Sequence, residues 1–332
     1  MTKTRRALIT GISGQDGSYL AELLLDLGYE VHGLVRAPMR RRVRHLESIR
    51  TQLHLWPGDL TDTPRLIRLL KLLQPDEIYN LAAVTFVGDS WSDPNLCYDV
   101  NARAVIGLLE GVRTVCPKAR CFQASTSEMF GQAQSSPQNE ETPLRPRSPY
   151  GLAKKAAHEA IRFYREKHGL FAVGAIMFNH ESPRRGPQFV TRKITQAVAQ
   201  IKAGLAVELK LGNLSARRDW GYAGDYVRAM HELLQQRVPR DFVLGTGELH
   251  TVEEFAALAF EQADLDWRNY VVVDPEFYRP TEPVDLVADA RAIHSEIGWH
   301  SSLDFGELVS IMVQSDLAQT DALVQRRLAV AA

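Results

Sequence analysis

ALITGISGQDGSYLAELLLDLG, residues 7–28, joins a short apolar run to an amphipathic one through three glycines, Gly11, Gly14 and Gly17. Ala7 to Thr10 reads as a strand. Tyr19, Leu20, Leu23, Leu24 and Leu27 then recur at helical spacing until Gly28 stops the helix. Glycine tolerates the positive φ of a tight strand-to-helix turn. Its missing side chain lets backbone N–H groups approach a phosphate, and the helix N-terminus adds partial positive charge. The spacing is G-x-x-G-x-x-G rather than G-x-G-x-x-G. Alone, such a triplet also suits a tight turn with no ligand. After the first strand of an alternating chain, it predicts a dinucleotide site.

The alternation continues outward. Residues 31–35, 53–56, 77–83, 121–126 and 171–178 read as strands, while 63–73, 102–115 and 153–168 read as helices, the first opened by Pro64. Continuous apolar strands between helices imply a parallel sheet covered on both faces. Right-handed crossovers put the strand C-termini on one rim, where ligands bind. The pattern breaks at HESPRRGPQFVTRK (180–193), which is polar and basic and carries two prolines. Helical stretches at 225–236 and 252–263 follow among short strands and loops. We expect a dinucleotide-binding domain over residues 1–178, to which roughly 217–245 returns, and a mainly substrate-binding domain over 179–332.

The chain has 332 residues, 45% of them hydrophobic, which suffices for a sizeable core and more than one domain. A formal net charge of -1 disfavours nucleic acid as a partner. No apolar run approaches a membrane span, and MTKTRRALITG lacks the apolar core of a signal peptide. Cys97, Cys116 and Cys121 have no metal-ligand spacing, and their odd number argues against a disulfide framework. A reduced, soluble, cytoplasmic protein without a metal is expected.

The strand 31–35 ends in Arg36, with Arg40, Arg41, Arg42 and Arg44 following and no acid at its end. Guanidinium groups suit a ribose 2′-phosphate, which favours NADP over NAD, with Arg36 the first candidate. A solvated basic loop or a subunit contact explains the other arginines. Asp59, after the third strand, is placed either to touch an adenine or to cap the strand end. In SPYGLAKK (148–155), Tyr150 and Lys154 lie four apart, on one helix face. An ammonium beside the phenol should lower a pKa that starts near 10. Such a tyrosine accepts a hydroxyl proton while hydride leaves the same carbon.

ITGISGQDGSYLAELL, QASTSEMFG, PRSPYGLAKKAA, FNHESPRRGPQFVTRKI, LGNLSARRDWGYAGDYV and FYRPTE, spread from residue 9 to 282, resemble the extended short-chain dehydrogenases/reductases. Within that group the chain resembles the GDP-mannose 4,6-dehydratase family. The resemblance implies an α/β fold: a Rossmann-type doubly wound parallel sheet with a smaller mixed α/β C-terminal substrate domain. It implies an NADP-dependent hydro-lyase acting on GDP-mannose. In STSEMFG (125–131), Glu128 is the acid that dehydratases add two residues beyond the Ser/Thr of simple reductases. Its implied role is to take the proton from sugar carbon 5 and give it to the departing carbon-6 hydroxyl, although a helix-terminal charge is the plainer alternative. Thr126 would hydrogen-bond the reacting oxygen, Tyr150 serve as base at carbon 4, and Lys154 hold the nicotinamide ribose.

The implied cofactor residues are Gly11, Gly14, Gln15, Asp16, Gly17, Arg36, Asp59, Leu60, Leu81, Ala82, Ala83, Tyr150, Lys154, His180 and Arg185. The implied substrate residues are Ser125, Asn179, Val190, Lys193, Gly212, Arg218, Arg279 and Glu282. Two places depart from the family pattern: Val84, Thr85 and Phe86 replace polar residues near the sugar, and Pro283 follows Glu282. Alternatives are a dehydratase of another GDP-sugar such as a GDP-manno-heptose, a reductase of the 4-keto-6-deoxy product, and a non-catalytic NADP-binding regulator. A homotetramer is expected from the arginine loop, with a dimer as second choice.

Overall fold

The computed structural model describes residues 4–37, 44–277 and 284–331. The first part runs β1 (Arg6–Thr10), α1 (Gln15–Asp26), β2 (Glu30–Val35), β3 (His54–Pro57), α2 (Thr63–Leu73), β4 (Glu77–Asn80), α3 (Val87–Ser92), α4 (Pro94–Tyr98), α5 (Ala104–Val115), β5 (Arg120–Thr126), α6 (Pro149–His168) and β6 (Ala172–Met177). There follow β7 (Asn179–Glu181), α7 (Val190–Lys202), β8 (Leu209–Leu211), β9 (Arg217–Arg218), β10 (Trp220–Tyr222), α8 (Ala223–Gln235) and β11 (Phe242–Leu244). The rest is β12 (His250–Thr251), α9 (Val252–Glu261), β13 (Val271–Val273), α10 (Arg291–Ile297) and α11 (Phe305–Ala331).

The central sheet has seven strands in the order β11-β6-β5-β4-β1-β2-β3. Every pairing in it is parallel. Side chains alternate across the sheet. Ile9, Tyr79 and Phe122 pack on one face with Leu20 of α1 and Met230 of α8. Leu8, Ile78 and Cys121 pack on the other with Leu66 of α2, Leu108 of α5 and Ile161 of α6. This is a Rossmann-type doubly wound α/β fold. The order reverses between β1 and β4, which opens a crevice at their C-terminal ends.

A second core gathers Ile194 and Val198 of α7, Phe255 and Phe260 of α9, and Leu308 and Met312 of α11 around Trp220. Three two-stranded sheets, β10-β7, β12-β9 and β13-β8, border it. Asp219 is fully buried and ties this region to the main sheet. Its carboxylate accepts from Thr246 N (2.9 Å), Thr246 Oγ1 (2.8 Å), Gly247 N (3.0 Å) and Ala288 N (3.1 Å).

The first-half elements that the sequence names fall where it predicts, with three shifts, while the short α3 and α4 were not named. The strand expected over 77–83 stops at Asn80, because Leu81–Ala83 must cross the glycine turn. There Ala82 N donates to Thr10 Oγ1 at 3.2 Å. The helix expected from Ala102 starts at Ala104, out of a π-helical turn at Asp99–Arg103. The helix expected from Ala153 starts at Pro149: Ser148 Oγ accepts from Gly151 N at 3.0 Å, and proline at the first position needs no acceptor. Two long helices, α7 and α11, stand where the sequence reading named none.

Candidate active site

Gly11 has φ +72°, and a Cβ there would lie 2.7 Å from Ala82 N. A Cβ on Gly17 would lie 2.3 Å from Gly11 O, so helix and turn touch backbone to backbone. Gly14 has φ -77°, so the positive-φ requirement holds at Gly11, while Gly14 and Gly17 serve by bareness. The turn borders a groove of about 380 Å³. Gly11, Gly14, Gln15, Asp16, Gly17, Arg36, Asp59, Leu60, Leu81, Ala82, Ala83 and Arg185 all line it. Such a bare turn at a helix N-terminus fits the pyrophosphate of a dinucleotide.

Arg36 is exposed where β2 leaves the groove. Asp59 does what a strand-end cap does, accepting from Thr61 N at 2.9 Å and Thr61 Oγ1 at 2.7 Å, and it also borders the groove. Arg40, Arg41 and Arg42 lie outside the described residues. Arg44 donates to Gln319 Oε1 of α11 at 2.9 Å.

A larger cavity, about 800 Å³, opens beside the groove. Thr126 ends β5, Glu128 sits in the 3₁₀ turn Ser127–Met129, and Tyr150 and Lys154 project from the start of α6; all four line this cavity, as does Ser125. Glu128 N donates to Thr126 Oγ1 at 3.3 Å. Gly151 lets α6 press on that turn, since a Cβ there would lie 2.7 Å from Glu128 O. Ser125 Oγ is bonded to His158 Nδ1 at 2.9 Å.

Lys154 Nζ donates to Ala124 O at 2.8 Å and stands 5.8 Å from the centre of the Tyr150 ring. Burial lowers the Lys154 ammonium to about 8. The Tyr150 phenol corrects the sequence reading: it is pushed up, not down. Burial is the main cause and the Glu128 charge adds to it, outweighing the Thr126 hydrogen bond and the Arg185 charge. The lysine is spent on the Ala124 carbonyl, and the phenol pays the desolvation of a closed core.

His180 lines the larger cavity, where β7 faces the glycine turn. Its Nδ1 is bonded to Phe178 O at 2.8 Å and its Nε2 to Asp16 Oδ2 at 3.0 Å. Burial raises Asp16, but the His180 charge and hydrogen bond reverse this and bring it to about 2. Burial lowers His180, and the Asp16 charge and hydrogen bond more than offset it, so its value is raised. The groove and the cavity share Asp16, Leu81, Ala83, Thr85, Arg185, Gln188 and Phe189.

Asn179, Val190, Lys193, Gly212 and Arg218 line the far wall of the cavity. Lys193 Nζ donates to Lys210 O at 2.6 Å and lies 3.8 Å from the centre of the Phe277 ring. Gly212 lets residue 277 approach, because a Cβ would lie 2.3 Å from Phe277 O. Arg279 and Glu282 lie outside the described residues, as does Pro283. The sequence reading missed Gln188 and Phe189, which border both spaces. The signal was present: both stand in the proline-rich break at 180–193. Among the described residues, no helix is long and apolar enough to cross a membrane, and no three His, Cys, Asp or Glu side chains gather as a metal site.

The profile of the family described as GDP-mannose 4,6 dehydratase matches residues 8–312. GDP-mannose 4,6 dehydratase 1 of Arabidopsis thaliana is 47% identical over 323 residues, covering 94% of this chain and 89% of its own length. The GDP-mannose 4,6 dehydratase of Cricetulus griseus is 44% identical, with 94% and 91% covered. Among solved structures, Thermus thermophilus UDP-glucose 4-epimerase in complex with NAD superposes with a TM-score of 0.80 at 28% identity, over 94% of this chain and 98% of that one. The dTDP-glucose 4,6-dehydratase of Streptomyces venezuelae, with NAD bound, gives 0.81 at 24% identity over 93% and 96%, a likeness of fold. By sequence over nearly its whole length, and by the fold that carries its groove and cavity, the chain belongs to the GDP-mannose 4,6-dehydratase family of the short-chain dehydrogenases/reductases.

Proposed function

We propose that this chain is a hydro-lyase that converts GDP-mannose to its 4-keto-6-deoxy derivative with an internally recycled NADP. One observation carries the reading: Thr126, Glu128, Tyr150 and Lys154 meet on one wall of a cavity that joins a glycine-lined groove. When bound, the dinucleotide supplies hydride acceptance and return. The exposed Arg36 at the end of β2, where the sequence carries no acid, supports NADP over NAD.

Thr126 donates to the sugar's carbon-4 oxygen while Tyr150 takes the hydroxyl proton there. The resulting ketone acidifies the proton on carbon 5. Glu128 takes that proton and gives it to the carbon-6 hydroxyl, which leaves as water, and once hydride is back on carbon 6 the proton taken up by Tyr150 goes to carbon 5. Arg185 is the cation that offsets negative charge on Tyr150 when it stands as the phenolate that takes this proton, and Lys154 would hold the dinucleotide's ribose. Residues 1–178, with roughly 217–245, hold the cofactor in this reading, and 179–332 hold the GDP-sugar. Asn179, Val190, Lys193, Gly212 and Arg218 form its described part. Three buried, unpaired cysteines support a reducing, cytoplasmic setting, and a homotetramer is the proposed assembly, with a dimer as the alternative.

The test is Glu128→Gln with GDP-mannose, read by mass spectrometry. Loss of a general acid–base group predicts a fall of roughly 10²–10⁴ in elimination with the dinucleotide still bound. Full activity of the variant would sink the role of Glu128. A wild type inactive on GDP-mannose but active on a GDP-heptose would redirect the substrate.

A further inference from the structure

Phe86 and Phe189 face each other where the groove and the cavity join. Their rings meet edge to face, with centroids 5.8 Å apart and planes at 89°. Phe189 borders both spaces, and Phe86 borders the larger. The ring of Phe189 also carries the Arg185 guanidinium, whose carbon is 3.6 Å from the ring centre. Arg185 Nε lies 3.0 Å from Glu181 Oε2, which accepts from Thr191 Oγ1 at 2.6 Å. A continuous stack of side chains therefore runs from the loop after β4 to β7.

Neither ring sits on loose chain. The Asn101 amide grips Val84 by both backbone groups, accepting from its N at 2.9 Å and donating to its O at 2.9 Å. The ring of Phe86 folds back onto Gly88, where a Cβ would lie 2.6 Å from it. Across the gap, Arg192 donates to the carbonyls of Pro183 and of Arg185 and is paired with Asp316 at 2.6 Å. A merely space-filling pair would not need both sides to be braced.

The reaction proposed above, on which this inference rests, leaves a 4-ketone beside a reduced dinucleotide through two proton transfers. Loss of either before hydride returns wastes the turnover. We propose that Phe86 and Phe189 are positioning residues that close over the junction as a bar against escape and keep dinucleotide and keto intermediate together until the second hydride transfer. An aromatic edge there closes the gap without giving water a foothold.

The test compares wild type, Phe86→Ala and Phe86→Tyr, with Phe86→Leu as a bulk-preserving substitute if the alanine variant does not fold. The first readout needs no turnover: release of reduced dinucleotide, followed by its fluorescence after mixing with excess oxidised dinucleotide. Removing one braced aromatic contact predicts roughly fivefold faster release, largely restored in Phe86→Tyr. The second is the ratio of non-dehydrated 4-keto-hexose to dehydrated product, which rises above the wild-type level in Phe86→Ala. An unchanged release rate overturns the inference, whatever happens to turnover. If the wild type itself forms no dehydrated product, the dehydratase reading fails, and the release rate still judges the bar.

Discussion

Asp16 and His180 stand as a charged pair between groove and cavity, 3.0 Å apart. Asp16 ionises at about 2 in the folded chain against an ordinary 3.8, so its stabilising share is present above about pH 3.8 and is lost as pH falls toward 2. His180 is raised above its ordinary 6.5, so its share is present below that value and is lost as pH rises through the raised one. The pair therefore contributes most between these limits. Its open side faces the cavity, where the Asp16 side chain keeps 21% exposure, so the loss on removing it is set below that of a fully enclosed pair. Asp16→Asn is expected to cost about 2 kcal/mol near pH 6. The deficit shrinks at pH 3 and again as pH rises through the raised His180 value. Urea unfolding of both proteins across pH measures it, and a deficit that is flat with pH contradicts the pairing.

Helix α6 shows how an element sets chemistry through its first turn. The Ser148 cap and Pro149 fix where it starts, and so fix that Tyr150 points into the cavity one turn before Lys154. Gly151 fixes how close it lies to Glu128. Gly151→Ala puts a methyl 2.7 Å from the Glu128 carbonyl, so either the helix or the 3₁₀ turn must give. The expected outcome is a loss of about 1–3 kcal/mol in stability, as for other overpacked sites. Turnover falls further, roughly a hundredfold, because a displacement of about 1 Å at the reacting groups is felt directly. Steady-state kinetics beside a melting curve separate the two. A variant with unchanged turnover would show that this close packing is not what places Glu128.

The second core carries its own brace. Arg192 and Asp316 are both almost fully buried and joined by two-pronged hydrogen bonds of 2.8 and 2.6 Å, with Thr195 Oγ1 on the same carboxylate at 2.7 Å. This fastens α11 to α7 and, through Arg192, steadies the segment that carries Phe189. Asp316→Ala strands a buried guanidinium and is expected to cost roughly 3–5 kcal/mol. The melting temperature should fall by several degrees, and differential scanning calorimetry reads it. An unchanged melting temperature would show that the pair is incidental to the second core.

What could be read before folding was whatever repeats along the chain. Apolar runs alternating with 3.6-residue periodicity placed the strands from Arg6 to Met177 and the helices between them, because burial on a sheet or against one imposes those periods locally. The glycine turn, the four-residue step from Tyr150 to Lys154 and the Ser-Thr-Ser-Glu run were legible because each is a short spacing with a geometric meaning. The direction of the Tyr150 shift was not legible, nor the partner of His180, nor the meeting of Phe86 with Phe189 across 103 positions. The second core, with α7 and α11, was also read poorly, since its short strands pair at long range and its helices pack on one another across more than a hundred positions. Spacing encodes what neighbours along the backbone can do; charge, desolvation and contact depend on neighbours in space, and only the closed fold supplies those.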